Sequence, residues 1–272
     1  VEYEITAPAG GVFEKSIAYL RIVNSSGIGI QGAIGLYDMG GLWVEAGPTN
    51  SDGVVLAMID GYITQQKFGM ALLGYRQDKI QDISNNSFVI WQTKEVTVEL
   101  RNSASNLIPA DELFFEEGTG AKVSLGTNIS QATIEMLPLS YTFYASYLGY
   151  EQDKLVNTAK PGGDVVTFRT ELVTMQLIDA SNATLQGASY FKDKSDNFVT
   201  FGQGVTTTTM EMLPMEYSVK CVYSGTEFTK SQNVQSNPMI TFVWDGAKGR
   251  YKKADVKALT GISLDRKSTR LN

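Results

Sequence analysis

The residue types that usually carry chemistry are sparse in this chain. Histidine is absent, and cysteine occurs once, at Cys221. The commonest general base and the commonest transition-metal ligand are therefore missing, as is any intramolecular disulfide or cysteine-based zinc site. Gly27 to Ala33, "GIGIQGA", matches the glycine spacing of a dinucleotide-binding loop and comes after a strand-like "YLRIVN". That chemistry needs a helix next, whose N-terminus holds the pyrophosphate. The next residues, "IGLYDMGGLWVEAG", are instead glycine-rich and strand-like, so the stretch is expected to be a turn.

Acidic groups cluster in "ADELFFEEG", which holds Asp111, Glu112, Glu116 and Glu117. Paired carboxylates can do acid–base work or bind calcium. The even spacing of Glu112 and Glu116 instead predicts one solvated strand face, a charge pattern that guards an exposed sheet edge. "TNSDG" (Thr49 to Gly53) and "KDKSDN" (Lys192 to Asn197) read as turns rather than calcium loops. Among aromatic residues, Trp91 and Trp244 lie in apolar strands and are expected in the core. Trp43, in "GGLWVEAG", is the best exposed candidate for stacking on a sugar ring. Tyr144, with Tyr141 and Tyr147, could form an aromatic ligand platform, in competition with packing. Cys221 shares an alternating face with Tyr217 and Val219 and is expected to be a buried, inert thiol. No catalytic, cofactor or metal site is expected; Trp43 and Tyr144 are the candidate ligand contacts.

The elements that must position these groups come in threes. "EMLP" occurs at Glu135 and again at Glu211, 76 residues on (211 − 135). "GYRQDK" at Gly74 is matched by "GYEQDK" at Gly149 (149 − 74 = 75) and more weakly by "GTEFTK" at Gly225 (225 − 149 = 76). Ala33, Ala110 and Ala188 close similar turns, and "FVIWQT", "VVTFRT" and "MITFVW" close the units. Units of this length suit small domains in tandem rather than solenoid repeats. In "VTVELRN", Val96, Val98 and Leu100 alternate with Thr97, Glu99 and Arg101, the period of a half-buried strand. Further short apolar runs, broken by Gly, Asn, Asp and Pro, give about seven strands per unit and predict an all-β sandwich. "EMLP" then reads as a strand ended by Pro138 or Pro214, with Gly61 near that place in the first unit. Phe143, matched by Phe68 and Val219, reads as core.

With the pattern "(V/M)-x-L-x-(D/N)", then "L-x-(G/P)-A", "L-P-x-x-Y-(T/S)-(F/V)" and "Y-x-G-x-x-Q-D-K", the units resemble prealbumin-like, Cna-B-type β-sandwich repeats of secreted and cell-surface bacterial proteins. The resemblance covers about Ile17 to Asp245. It implies a stalk or adhesin module, secreted or at the cell surface. A hallmark of that family is a Lys–Asn or Lys–Asp isopeptide bond between first and last strands. Here "AYLRIV", "VTVELRN" and "VTMQLID" carry no Lys, and the closing strands carry no Asn or Asp. The crosslink is therefore not expected.

The chain is accordingly expected to be all-β, three tandem Ig-like or prealbumin-like sandwiches arranged as a rod. Residues 1–16 would be the end of a preceding repeat plus linker. The repeats would be 17–93, 94–170 and 171–245, followed by a basic tail, 246–272, whose end ("DRKSTRLN") is read as artefactual and set aside. The net charge of −6 gives no indication of nucleic acid, and no apolar run reaches the ~18 residues of a membrane span. The expected role is a non-catalytic structural segment. The alternatives are a carbohydrate-binding or adhesive module, with extracellular glycans or neighbouring surface-protein domains as partners, and a subunit of a self-assembling extracellular fibre.

Overall fold

The computed structural model describes residues 4–6, 12–60 and 65–246; the basic tail and the Gly61 corner lie outside the described residues. Strands are the only regular elements among these residues. β1 (Glu4–Thr6) pairs antiparallel with the start of β2 (Val12–Val23). The first sandwich continues with β3 (Ile34–Met39), β4 (Leu42–Pro48), β5 (Val54–Asp60), β6 (Gln66–Leu72), β7 (Tyr75–Gln81) and β8 (Phe88–Gln92). One sheet has the order β4-β3-β6-β7; in the other β2 lies between β5 and β8, antiparallel to the first and parallel to the second.

The same topology recurs twice. The second sandwich comprises β9 (Lys94–Arg101), β10 (Ala110–Glu116), β11 (Lys122–Ile129), β12 (Gln131–Met136), β13 (Ser140–Tyr147), β14 (Tyr150–Asn157) and β15 (Val165–Arg169), in sheets β11-β10-β13-β14 and β12-β9-β15. The third comprises β16 (Glu171–Asp179), β17 (Gly187–Lys192), β18 (Phe198–Val205), β19 (Thr207–Met212), β20 (Glu216–Tyr223), β21 (Thr226–Asn233) and β22 (Met239–Trp244), in sheets β18-β17-β20-β21 and β19-β16-β22. The chain is thus all-β, three sandwiches of seven strands in tandem. By compactness it divides into two units. One takes in the strands up to Phe168 save Leu148–Tyr150; the other takes in Leu148–Tyr150 and the strands from Arg169 on.

Alternation fixes what faces inward. Ala18, Leu20 and Ile22 of β2 are fully buried, as are Val96, Val98 and Leu100 of β9, while Val173, Met175 and Leu177 of β16 are nearly so. Phe68, Phe143 and Val219 take equivalent core positions, as their repeat spacing predicts. Trp91 is fully buried, and Trp244 packs edge-on against Tyr223 and Phe228. The first strands are longer than the alternation alone implies. β2 includes Lys15, ion-paired with Asp60 at 3.4 Å, and β9 begins at Lys94, so two first strands do carry lysine. Neither of their closing strands, β8 and β15, carries an Asn or Asp to meet one.

The loop after each first strand is built alike. Asn24 Oδ1 accepts from the backbone N–H of Ser26 and Ile28, Asn102 Oδ1 from Asn106, and Asp179 Oδ1 from Ser181 and Ala183. A short polar side chain here supplies the turn's acceptor itself, which is why the pattern fixes Asn or Asp at this place. The hydroxyl and backbone donors around Asp179 hold its carboxyl below the usual range. Gly29 and Gly53 mark a close crossing in the first sandwich. A Cβ at Gly29 would lie 2.1 Å from the Asp52 carbonyl carbon, and one at Gly53 2.1 Å from the Ile22 oxygen. "GIGIQGA" therefore owes glycines to backbone contact, and a strand, β3, comes after it where a nucleotide site would need a helix.

Candidate functional site

The repeated words meet at junctions. Glu135, on β12 of the second sandwich, accepts hydrogen bonds from the Thr93 hydroxyl at the end of the first sandwich and from the Ser25 hydroxyl. It also takes the Ser25 backbone N–H at 3.1 Å. Two residues on, Leu137 is fully buried within the first sandwich's core cluster, which includes Trp91 and Ile22, with Leu139 packed against it. The β6–β7 turn of the first sandwich reaches the same surface. Tyr75 packs edge-on against the Tyr141 ring at 4.4 Å and donates its hydroxyl to the Glu116 carbonyl at 3.1 Å. Gly118 N–H donates to the Leu73 carbonyl at 3.1 Å. A Cβ at Gly118 would lie 1.9 Å from the Gly74 oxygen, so the two backbones touch directly. Burial raises the phenol pKa of Tyr75, reinforced by the charge on Glu116, and raises that of Tyr141 further.

The second unit contains the matching groups. Thr170 Oγ1 donates to Glu211 Oε2 at 2.5 Å. Tyr150 packs edge-on against Tyr217 at 4.5 Å and donates its hydroxyl to the Lys192 carbonyl. Leu148 and Tyr150 pack against the core cluster of the third sandwich. Thus "EMLPxxY" supplies one side of a joint and "(L)GY" the other. Reading "EMLP" as a strand corner accounts for its proline but misses this role. The available signal was the pairing itself. Tyr141 and Tyr217 recur wherever a Tyr-bearing turn precedes them, whereas the first unit has Gln66 at that position and the third turn has Thr226 in place of tyrosine.

The aromatic candidates lie on the outer faces of the four-stranded sheets, each already covered. Trp43 is half-buried over Gly69, with the Arg76 guanidinium 4.0 Å and the Lys67 ammonium 5.0 Å from its ring centre. Asp78 pairs with both cations, at 2.9 and 3.2 Å. Tyr144 stacks on Phe114 at 5.0 Å, lies 4.0 Å under Lys122, and donates its hydroxyl to Glu116 Oε2 at 2.6 Å. That bond, with lesser help from desolvation and nearby carboxylates, pushes its pKa up to about 12. Lys122 is ion-paired with Glu151. In the third sandwich Lys220 lies over Tyr190 and Phe198 and pairs with Glu227 at 3.2 Å. The recurrent unit is an aromatic face, a cation on it and a carboxylate on the cation, a self-satisfied arrangement. Tyr141 points inward and Tyr144 outward, so the tyrosines share no platform.

The remaining candidates are structural. Glu112 and Glu116 share the outward face of β10, as their spacing predicts, but β10 lies between β11 and β13, so they guard no sheet edge. Asn50 Oδ1 and Asp193 Oδ1 cap the "TNSDG" and "KDKSDN" turns through backbone N–H groups. Among the described residues no three His, Cys, Asp or Glu side chains converge as a metal site would require. Cys221 is 1% exposed in the third core, and burial pushes its thiol up to about 11.

A lysine repeated at the same landmark joins the two sheets of each sandwich. Lys79 donates to the Ile90 carbonyl, Lys154 to Thr167 at 3.3 Å and Lys230 to Thr241 at 3.0 Å. Each runs from the edge strand of the four-stranded sheet to the closing strand of the other, stitching the open side of the sandwich. Burial lowers the Lys79 pKa. A lysine recurring at constant spacing on the inward-facing side of an edge strand is the trace this leaves in sequence.

No family model matches the sequence, and no curated protein does. Among solved structures, 85% of the chain is similar to the Bacillus anthracis TIE protein, at 10% identity and a TM-score of 0.22, covering 51% of that chain. It is similar over the same share to a streptococcal ancillary pilin, at 11% identity and TM-score 0.23, covering 98% of that chain. The open form of the pilus adhesin SpaC from Lactobacillus rhamnosus GG is matched at 7% identity and TM-score 0.26, over 43% of its length. The chain thus spans about half of the TIE protein.

Proposed function

We propose that the chain is a non-catalytic spacer segment of a secreted or surface-anchored bacterial protein, of the kind that forms an adhesin stalk. The observation that carries this reading is the joint: the Thr–Glu and Tyr–Tyr pairs occur within both units, and in the first unit they tie two successive sandwiches. A second observation agrees. In the first and third sandwiches the opening and closing strands pair in parallel. The chain therefore enters such a sandwich at one end and leaves at the other. Tension between its ends loads the interstrand hydrogen bonds together, in shear, rather than one at a time.

A glycan array separates the spacer from an adhesive module. The expected outcome is no glycan bound by the intact chain above background. A glycan retained by the intact protein and lost on Trp43→Ala would replace the spacer reading with a carbohydrate-binding one.

A further inference from the structure

Sheet register fixes which residues of the three sandwiches are equivalent. Tyr37 pairs with Phe68 between β3 and β6, Phe115 with Phe143 between β10 and β13, and Phe191 with Val219 between β17 and β20. Just after the first member of each pair come Asp38, Glu116 and Lys192; two places before the second come Gln66, Tyr141 and Tyr217. The backbone carbonyls of Glu116 and Lys192 accept the hydroxyls of Tyr75 and Tyr150, from the turn docked on each sandwich. The Asp38 carbonyl accepts instead from Gln66 Nε2 of its own sandwich, at 2.6 Å. Gln66 is 3% exposed, and the same nitrogen lies 3.1 Å from the Lys67 carbonyl. The acceptor that takes a visiting tyrosine in two sandwiches is thus already filled in the first. The residue that fills it stands where the other two have Tyr141 and Tyr217.

The rest of that surface changes with it. Ala18 pairs with Ala57, Val96 with Ile134 and Val173 with Met210, so Met58 takes the place of Glu135 and Glu211. A thioether stands there in the first sandwich, where the other two accept a threonine hydroxyl. Asp60, ion-paired with Lys15, takes the place of the fully buried Leu137 and Leu213. The giving side differs in the third sandwich. Thr226 follows its turn where Tyr75 and Tyr150 follow theirs. Five residues after the start of each closing strand come Thr93, Thr170 and Trp244. Trp244 packs on Tyr223 and Phe228 of its own sandwich. The joint therefore has a giving set, Thr and Tyr, and a taking set, Glu, Leu, Tyr and an open carbonyl. The second sandwich has both sets, the first only the giving one and the third only the taking one.

We infer that Gln66 caps the first sandwich from within: its amide stands in for a partner's tyrosine, closes this surface to a tyrosine-bearing turn, and so helps set the order in which sandwiches of this kind join. Selection of this sort works by filling the wrong site rather than by improving the right one. The inference deepens the spacer reading and rests on its joint. The test transplants the cap into the joint of the first unit. Gly118 N–H donates to the Leu73 carbonyl across that joint at 3.1 Å, so its hydrogen exchange in the full chain reports whether the joint is closed. Tyr141→Gln brings an amide to the Glu116 carbonyl and should speed Gly118 exchange by about tenfold or more, with the amides of β10 and β13 unchanged. Tyr141→Leu, of similar size but without an amide, should change it by less than about threefold. On a Tyr75→Phe background no hydroxyl competes for the carbonyl, and the two variants should then exchange alike, the signature of a direct coupling. Equal effects of Gln and Leu on the native background would overturn the inference. So would a Gln effect that persists undiminished with Tyr75→Phe, because it would then reflect damage to the second sandwich and not competition. Glycan binding would overturn the spacer reading without moving this result.

Discussion

Glu135 and Cys221 illustrate two fates of a reactive side chain in this molecule. Glu135 spends its oxygens on Thr93 and Ser25, and so holds a joint. Cys221 lies in a core whose neighbours are apolar. Burial raises its pKa from the ordinary 9.0 to about 11, offset in part by a hydrogen bond with Ser189. Thiol reagents should therefore label the native protein far more slowly than the denatured chain near pH 8, because both thiolate fraction and access are reduced. The pH dependence has a definite sign. Above about pH 9 the unfolded thiol ionises before the folded one, so the contribution of this group to stability declines between about pH 9 and 11. Labelling as fast as in denaturant would contradict the burial. Cys221 was legible in sequence because strand alternation with Tyr217 and Val219 decides its side. Glu135 was not, since its partners are 42 and 110 residues away and no local pattern joins them.

At the scale of elements, the three β-hairpins before each "QDK" or "FTK" are two-residue turns with both central residues at positive φ: Leu73–Gly74, Leu148–Gly149 and Ser224–Gly225. Such turns favour Asn at the first position, and a leucine there is strained. Leu148 is tolerated because its side chain packs against the third core cluster. Gly225, by contrast, has nothing within 4 Å of where a Cβ would stand, so its turn lies open on that side. The same substitution should then act with opposite signs. Ser224→Asn should stabilise by about 0.5 kcal/mol. Leu148→Asn should destabilise by about 1–2 kcal/mol despite the better turn residue, through lost apolar burial. Urea unfolding of the two variants reads both; stabilisation by Leu148→Asn would mean that its packing contributes nothing. Strand number, alternation and the closing strands could be read from the sequence because period two and turn residues are local. The extra length of β2 and β9, with Lys15 and Lys94, could not, since it depends on pairing with β5 and β12 across the sheet.

For the whole molecule, three sandwiches of nearly equal length, each closed by its own core, should behave as three mechanical units in series. Trp43 and Tyr144, the candidates for ligand contact, lie beneath Arg76 and Lys122 in the same aromatic–cation–carboxylate arrangement that the third sandwich repeats. Repetition of the joint was visible as repeated words; its meaning needed the fold, because only topology brings the turn of one sandwich to the strand end of another. Single-molecule pulling on the full chain tests the account most directly. The second sandwich spans Lys94 to Arg169. At about 3.4 Å per extended residue, and allowing for the folded length, its release should add about 230 Å. The account predicts three successive unfolding events with nearly equal gains of that size, the outcome expected where no covalent crosslink joins first and last strands. A single event for the whole chain, or gains much below that length, would contradict it.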